Sequence, residues 1–418
     1  MDADLIKQIL IDHDQLSIKD QLIPRELTER IKDFSEDKFI IIISGIRRSG
    51  KSTVLQQMRS KHLKESFYVN FDDERFFHFT VDDFQKLYES LIELFGTKHI
   101  FVFDEIQNIS GWERFVRRLH DAGKKIYVTG SNASMLSKEL GTHLTGRNIV
   151  FSLYPFSFKE FLKFNQYNFP SIDRLTTEQK GIIKKWFNEY VEKGGFPEYL
   201  QTEKKEYLSF VYENILYRDI ITRYNLPNEK TIKEVVYFAV SNIGKEISFN
   251  QLRKLTGLSS ATTIREYFEH LENSYLTFLI PRFNPSLKKQ IYYHKKVYFI
   301  DTGMAKTLGF RTENDWGRML ENLVFLQLKR QNKEIYFHRA NYECDFVIRD
   351  GINVTQAIQV THTLNGNRDR ELNGLREALT LYKLEEGLIL TTDEEDEFMM
   401  DKKKIVVKPI WKWLLETK

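Results

Sequence analysis

Residues 45–53 read Gly-Ile-Arg-Arg-Ser-Gly-Lys-Ser-Thr and match the spacing of a phosphate-binding loop, G-x-x-x-x-G-K-S. The apolar run 39–43 precedes them and an amphipathic segment follows, so the predicted order is buried strand, glycine turn and helix. Glycines permit backbone angles that other residues resist, and the amides of such a turn can point at phosphate oxygens. Lys51 is predicted to reach the β- and γ-phosphates of a nucleotide, and the Ser52 hydroxyl to bind Mg²⁺. The residues predicted to hold the nucleotide are Gly45, Arg47, Arg48, Ser49, Gly50, Lys51, Ser52 and Thr53.

A pair of carboxylates follows a second apolar run. Residues 100–103 are Ile-Phe-Val-Phe, typical of a strand buried on both faces of a parallel sheet, and Asp104 and Glu105 come directly after them. Ligands of open α/β folds bind beyond the carboxyl ends of the strands, where these two side chains are expected. Asp104 is predicted to hold the Mg²⁺ shell and Glu105 to polarise an attacking water. The alternative, an acid that caps a helix, leaves the loop upstream unexplained.

Length and composition indicate the class of protein. A chain of 418 residues exceeds one compact core, so two to four domains are expected, and 41% hydrophobic with 29% charged residues is ordinary for a globular protein. The single cysteine, Cys344, excludes an internal disulfide and fits a reducing compartment. The acidic N-terminus and the lack of a long apolar run predict a cytoplasmic protein without a membrane segment. The net charge of +3 neither requires nor excludes nucleic acid.

Periodicity predicts five segments. A helical lead-in is expected over 1–36, followed by a phosphate-loop core over 37–155 in which strands alternate with helices and form a parallel sheet. One strand lies in sequence between the loop and the carboxylate strand, an order that indicates the ATPase branch with an adjacent catalytic glutamate. A helical lid is expected over 156–226, a winged-helix-like segment over 227–300 and a separate α/β unit over 301–418.

The winged-helix-like segment carries a basic, aromatic wing that could contact phosphates and stack on bases. Glu266 and Glu269 lie in its third helix, which is unfavourable for contact with DNA, so a DNA-binding role and a protein-packing role both remain open. The wing residues are Arg282, Lys288, Lys289, Tyr292, Tyr293, Lys295 and Lys296.

Taken together, these motifs resemble the prokaryotic AAA-type P-loop ATPases that carry a C-terminal domain of the DUF4143 type. The resemblance spans nearly the whole chain and is carried by residues 45–52, 103–107, 129–132, 144–147, 153–158, 194–197, 217–220, 298–303 and 343–347. It implies ATP and Mg²⁺ as ligands, a winged-helix segment and a C-terminal fold similar to restriction-type nucleases.

The resemblance also implies roles for individual residues. A polar residue after the fourth strand senses the γ-phosphate in similar ATPases, which suggests Asn132 or Ser131. An arginine, often from a neighbouring subunit, stabilises charge during transfer, and Arg147 is the first candidate. A homo-oligomer is therefore expected. The alternative is that Arg147 pairs with a carboxylate inside its own subunit.

Part of a nuclease pattern lies in 301–418. Such sites need an Asp on a strand, a Glu-x-Lys on the next strand and often a Glu on a preceding helix, where the carboxylates hold Mg²⁺ and the lysine activates water. Glu321 and Asp345 match, but Gln359-Val360-Thr361 stands where Glu-x-Lys is required. Gln359 could still ligate through its carbonyl oxygen. A vestigial site formed by Glu321, Asp345 and Gln359, without cleavage, is therefore predicted.

The predicted fold is α/β, with a P-loop ATPase core, a helical lid, a winged-helix segment and a restriction-nuclease-like C-terminal domain. The leading functional prediction is an ATPase whose nucleotide state drives or gates a C-terminal module associated with nucleic acid. A nucleotide-gated scaffold that binds a protein partner is the alternative, and an ATP-assisted endonuclease is the third interpretation. Glu105 favours hydrolysis over the scaffold, because a scaffold needs no general base.

Overall fold

The computed structural model describes residues 1–15, 22–131, 146–169, 171–309, 315–364 and 368–417. These residues form two compact units, Met1–Tyr154 and Pro155–Lys418. Nowhere in these ranges is a helix both long and apolar enough to cross a lipid bilayer.

The first unit is built on a parallel sheet. In its described residues the strand order is β2-β3-β4-β1-β5, and every neighbouring pair is parallel. The loop-bearing strand β1 therefore lies between β4 and β5, and β4 separates it from the carboxylate strand β3. This confirms the predicted parallel P-loop core. The strands are β1 (Ile40–Gly45), β2 (Ser66–Asn70), β3 (Ile100–Asp104), β4 (Lys125–Gly130) and β5 (Asn148–Leu153).

Helices cover the sheet on both faces, because β1 and β3 are apolar on both sides. One apolar cluster contains Ile40, Ile42 and Phe103, and the other contains Ile41 and Ile43. The lead-in belongs to this unit. Its first helix packs in the apolar cluster that contains Ile40 and Phe103, and its second helix packs in the cluster that contains Ile41 and Ile43. The helices are α1 (Ala3–Gln15), α2 (Glu26–Lys32), α3 (Lys51–Lys61), α4 (Phe84–Phe95) and α5 (Trp112–Asp121).

The second unit begins with helices. The part of the predicted lid over 205–224 is helical throughout, but its middle, Ile215–Ile221, winds as a π-helix. The buried Asp301 carboxylate accepts a hydrogen bond from the Gly195 amide at 2.7 Å. This bond links residues 194–197 to residues 298–303, two of the segments that carry the family resemblance. The helices are α6 (Phe158–Phe164), α7 (Thr177–Lys193), α8 (Pro197–Thr202), α9 (Lys205–Asn214) and α10 (Thr222–Tyr224).

Helices and a small sheet occupy the segment predicted to be winged-helix-like. The Ser248 hydroxyl caps a helix by accepting a hydrogen bond from the Gln251 amide at 3.4 Å. The strand order is β6-β8-β7, antiparallel, and the short helix α14 and strand β6 were not predicted. The role of this segment as a winged helix stays a prediction. Its elements are α11 (Glu229–Ser241), β6 (Glu246–Ile247), α12 (Phe249–Thr256), α13 (Ala261–Asn273), β7 (Thr277–Pro281), α14 (Leu287–Tyr292) and β8 (Lys295–Phe299).

The remaining residues form a mixed sheet in the order β13-β14-β12-β11-β10-β9. The Phe283 amide donates to the Phe337 carbonyl at 2.8 Å, so the preceding segment is joined to this sheet within one compact unit. Sequence patterns missed β13, β14 and the last helix. The elements are α15 (Thr302–Leu308), α16 (Trp316–Arg330), β9 (Glu334–Arg339), β10 (Glu343–Asp350), β11 (Asn353–Val360), α17 (Arg368–Leu381), β12 (Glu386–Thr391), β13 (Asp396–Met400), β14 (Lys403–Pro409) and α18 (Ile410–Glu416).

Candidate nucleotide site

The phosphate loop joins the end of β1 to the start of α3. Gly50 has φ 95°, in the region that favours glycine, and α3 begins at the next residue. Gly45 is needed for space, because a Cβ atom there would lie 2.2 Å from the Leu153 carbonyl oxygen. The loop therefore turns tightly against β5 and brings the N-terminus of α3 to the carboxyl edge of the sheet.

The other loop residues take different positions. Ser49 is buried, and its amide donates to the Ile46 carbonyl at 3.2 Å. Arg48 is exposed with φ 66°, whereas Arg47 and Thr53 are partly buried.

Lys51 is the buried cation of the site. Its ammonium lies 3.1 Å from the Glu105 carboxylate, and 3.3 and 3.4 Å from the Gly45 and Ile46 carbonyl oxygens. The lysine thus bridges the phosphate loop and the acidic strand end, two motifs that lie far apart in sequence.

Asp104 is buried at the end of β3 and is held from two sides. The Thr129 hydroxyl donates to one carboxylate oxygen, and the Tyr68 hydroxyl donates to the other at 3.1 Å. Burial, followed by the neighbouring Glu105 charge, raises the pKa of Asp104, while hydrogen bonds from Thr129 and Ser52 act against the shift. Ser52 and Asp104, the predicted Mg²⁺ ligands, are therefore in contact. A hydroxyl and a carboxylate are oxygen ligands that suit Mg²⁺.

Glu105 adopts a left-handed backbone conformation with φ 50° directly after β3. Its amide donates to the Thr129 hydroxyl at 2.8 Å, and Gln107 donates to its carboxylate at 2.5 Å. Burial would raise the pKa of Glu105, but the Lys51 ammonium and the other cation and hydrogen-bond contacts outweigh it, and the net shift is downward. Thr129, which contacts both acids, was not predicted as a site residue.

Polar groups without a hydrogen-bond partner among the described residues stand at loop and strand ends of this unit. They include the hydroxyls of Ser49 and Ser131 and the side-chain carbonyl oxygen of Gln107, all buried. Such groups are costly unless a polar ligand satisfies them, so the arrangement fits a polar ligand. Asn132, the other candidate γ-phosphate sensor, lies outside the described residues.

Arg147 stands away from this site. The parallel register pairs Ile40 with Asn148 and Gly45 with Leu153, so Arg147 lies where β1 begins and the loop lies where β1 ends. The six residues of β1 separate these edges by about 17 Å at the rise of a strand. The Arg147 guanidinium instead lies 3.3 Å from the Asp121 carboxylate, in an exposed pair of the kind that contributes little stability.

Arg25 is a buried residue of the site that sequence patterns missed. Its guanidinium donates to the Ser49 carbonyl and to the Tyr154 carbonyl, each at 2.6 Å. Gln57, on α3, accepts the Arg25 amide at 3.4 Å and donates to the Ile23 carbonyl at 2.6 Å. The segment before α2 is thus attached to the phosphate loop, to α3 and to the residue after β5. A buried arginine in a charged lead-in leaves no periodic signal.

The predicted vestigial residues of the second unit do come together, with an unpredicted partner. Glu321 and Asp345 lie 3.0 and 2.9 Å from the Lys296 ammonium, and the Asp345 amide donates to the Gln359 side-chain oxygen at 3.2 Å. The placement of Lys296 on an exposed wing was wrong: its side chain is 1% exposed. Within the described ranges no group of three or more His, Cys, Asp or Glu residues is arranged to hold a metal ion.

Family models match three successive parts of the chain. An AAA domain matches residues 37–162, and two domains of unknown function, DUF8612 and DUF4143, match residues 184–315 and 316–413.

Relatives align over most of the chain. An uncharacterized protein of Methanocaldococcus jannaschii is 35% identical over 98% of this chain and 95% of its own length. An uncharacterized protein of Haemophilus influenzae is 30% identical over 77% of this chain and 82% of its own.

Solved structures with the same kind of core are more distant. AMPPCP-bound DnaA from Aquifex aeolicus, at 15% identity, aligns over 61% of this chain and 91% of its own, with a TM-score of 0.27. A point variant of RuvB from Thermotoga maritima, at 13% identity, aligns over 66% and 94%, with a TM-score of 0.29. From the family models and the close relatives, the chain belongs to the family of proteins in which an AAA-type P-loop ATPase domain precedes a C-terminal DUF4143 domain.

Proposed function

We propose that this protein binds ATP with Mg²⁺ and hydrolyses it, and that its nucleotide state drives or gates the second unit. The observation that supports this most directly is the contact between Lys51 and Glu105 at 3.1 Å, with Ser52 against Asp104 beside them. A phosphate-binding cation, a hydroxyl, a metal-binding carboxylate and a general-base carboxylate thus share one edge of the sheet.

The pairing of Lys51 with Glu105 suggests how the base is controlled. While the ammonium is beside it, Glu105 has a lowered pKa and is a poor proton acceptor. When Lys51 turns to phosphate oxygens, the carboxylate loses its cation and becomes a stronger base. Gln107 and the Thr129 hydroxyl keep Glu105 in place during this exchange. Bound Mg²⁺ would neutralise phosphate charge, and Ser52 and Asp104 are the residues that would hold it.

We further propose that Arg147 acts on the nucleotide of a neighbouring subunit. About 17 Å of strand separates Arg147 from the phosphate loop of its own chain. Arg147 therefore acts either on the nucleotide site of another copy or on no nucleotide site. A homo-oligomer is required for the first of these roles.

Nucleic-acid association is proposed for the second unit. Helix α14 has no buried residue, and it displays Lys288 and Lys289 beside the exposed Tyr292. Arg282 lies over the Tyr293 ring at 4.6 Å. Cations beside exposed aromatic rings are suited to phosphates and unstacked bases. Lys296 is not part of this surface.

The first prediction concerns the base. Glu105→Gln should bind ATP·Mg²⁺ but hydrolyse it about 10²–10⁴-fold more slowly, because the amide cannot accept the proton of water. Lys51→Ala is the contrasting variant and should lose binding itself. Nucleotide affinity and phosphate release are measured on both. Wild-type turnover in Glu105→Gln would remove its role as base, and binding without turnover in the unaltered protein would favour the scaffold.

The second prediction concerns Arg25 as a positioning residue. Arg25→Gln should weaken ATP binding by roughly tenfold, because the loop loses two charged hydrogen bonds, and turnover at saturating ATP should fall less. Arg114→Gln, an exposed arginine on α5, is the matched control. Equilibrium binding and steady-state rates separate the two effects. Equal affinities in both variants, with folding verified by circular dichroism, would contradict the assignment.

The third prediction concerns Arg147. Arg147→Ala should lower turnover, by up to roughly 10³–10⁵-fold for an arginine finger. Mixing Arg147→Ala chains with Lys51→Ala chains should restore activity, because each supplies what the other lacks. Asp121→Asn removes the partner within the chain and should leave turnover near that of the unaltered protein. Light scattering establishes the oligomer. An oligomer that shows no rescue on mixing would rule out the action between subunits.

The fourth prediction concerns nucleic acid. Lys288→Glu/Lys289→Glu should weaken binding to single-stranded DNA, and the slope of log affinity against log salt should fall by about one per lost phosphate contact. Lys180→Glu/Lys185→Glu, with the same charge change on exposed residues of α7, is the control. Fluorescence anisotropy at several salt concentrations measures both. Salt-independent binding, or none, would favour a protein partner.

A further inference from the structure

A single buried nitrogen joins three carboxylates in the second unit. The Lys296 ammonium, on β8, lies 2.7 Å from Glu343, 2.9 Å from Asp345 and 3.0 Å from Glu321. Glu343 and Asp345 are on β10, and Glu321 is on α16. The ammonium donates hydrogen bonds to Glu321 and Asp345, and its contact with Glu343 is an ion pair.

Several other polar atoms of this cluster also have hydrogen-bond partners. The second Asp345 oxygen accepts the Val360 amide at 3.0 Å, and the Tyr298 hydroxyl donates to Glu321 at 2.6 Å. The side-chain oxygen of Gln359, a possible metal ligand by sequence, accepts a hydrogen bond from the Asp345 backbone amide. The side-chain nitrogen of Gln359 donates to the Glu371 carboxylate at 2.6 Å.

The position between the three carboxylates is taken by an ammonium group. Contacts of 2.7–3.0 Å are those of charged N–H···O hydrogen bonds, whereas Mg²⁺ binds oxygen at about 2.0–2.1 Å and Ca²⁺ at about 2.3–2.6 Å. Burial would lower the pKa of Lys296, but the Asp345 and Glu321 carboxylates outweigh it and hold that pKa well above its usual value. Three carboxylate contacts within 3.0 Å favour the charged form of the lysine.

We propose that the Lys296 ammonium occupies the cation position of this carboxylate cluster, so that the cluster fastens β8 to α16 and β10 and does not bind a metal in the native protein. The cluster is then an electrostatic joint, in which the ammonium stands between the carboxylates where a metal ion would have to bind. This inference concerns the second unit alone and does not depend on ATP hydrolysis.

Removing the lysine leaves the buried Glu321 and Asp345 carboxylates without this cation, and uncompensated buried charge is destabilising. A divalent cation with flexible oxygen coordination should then replace the ammonium, and Ca²⁺ should do so better than Mg²⁺ because its longer bonds need less contraction.

The test uses the full chain without nucleotide. Lys296→Ala should have a lower thermal midpoint than the unaltered protein, and Ca²⁺ should raise it and bind at one new site by calorimetry. The matched control is Lys296→Ala/Glu321→Gln/Asp345→Asn. It should show neither the calcium-dependent rise of the thermal midpoint nor the new calcium site. If Lys296→Ala is insoluble, Lys296→Gln replaces it. A folded lysine variant with no calcium-dependent rise overturns the proposal.

The unaltered protein supplies an independent arm. Its Ca²⁺ and Mn²⁺ binding should equal that of Asp345→Asn, because the cluster takes up no metal while Lys296 is present. Metal binding that Asp345→Asn abolishes, or Mg²⁺-dependent plasmid cleavage that it abolishes, would show a working metal centre and overturn the inference.

Discussion

Parallel pairing of β1 with β4 and β5 is the constraint on which the candidate nucleotide site depends. Parallel strands present their carboxyl ends at one edge, so the phosphate loop after β1 and the acids after β3 meet there. Thr129, near the end of β4 between them, joins the acids by contacting Asp104 and the Glu105 amide. The same register sends Arg147, which precedes β5, to the opposite edge. The same strand arrangement thus brings the residues of the candidate nucleotide site together and places Arg147, the predicted arginine finger, away from them.

Two buried lysines of this protein are neutralised by carboxylates in different arrangements. Lys51 and Lys296 are each paired with carboxylates, because a buried ammonium needs a counter-charge. Lys51 has one carboxylate and two loop carbonyls, contacts that phosphate oxygens can replace. Lys296 has three carboxylates, two of which also accept hydrogen bonds from the Val360 amide and the Tyr298 hydroxyl, so several contacts hold the lysine in place. The first arrangement fits a ligand-responsive site, and the second fits a structural joint.

The phosphate loop is also held by residues of the lead-in, outside its own motif. Arg25 donates to a carbonyl inside the phosphate loop and to one after β5, so it limits how the loop can move relative to the sheet. Charged hydrogen bonds from a buried guanidinium are among the stronger single contacts in proteins. The loop glycines allow the conformation, while Arg25 and Gln57 hold it.

Features that depend on local spacing could be predicted from the sequence. The phosphate loop, the acids at the end of β3, the alternation of strands and helices and the helix cap at Ser248 all follow from neighbours within a few positions, and the family follows from their combination. Tertiary structure alone decided contacts between distant residues: Arg25 with Tyr154, 129 positions apart, and Lys296 with Asp345, 49 apart. Lys296 stands in a basic run that is typical of an exposed wing, and only the pairing of β8 with β7 and the packing on α16 turn it inward. Periodicity reports which face of a strand is buried but not which charges another element brings to that face.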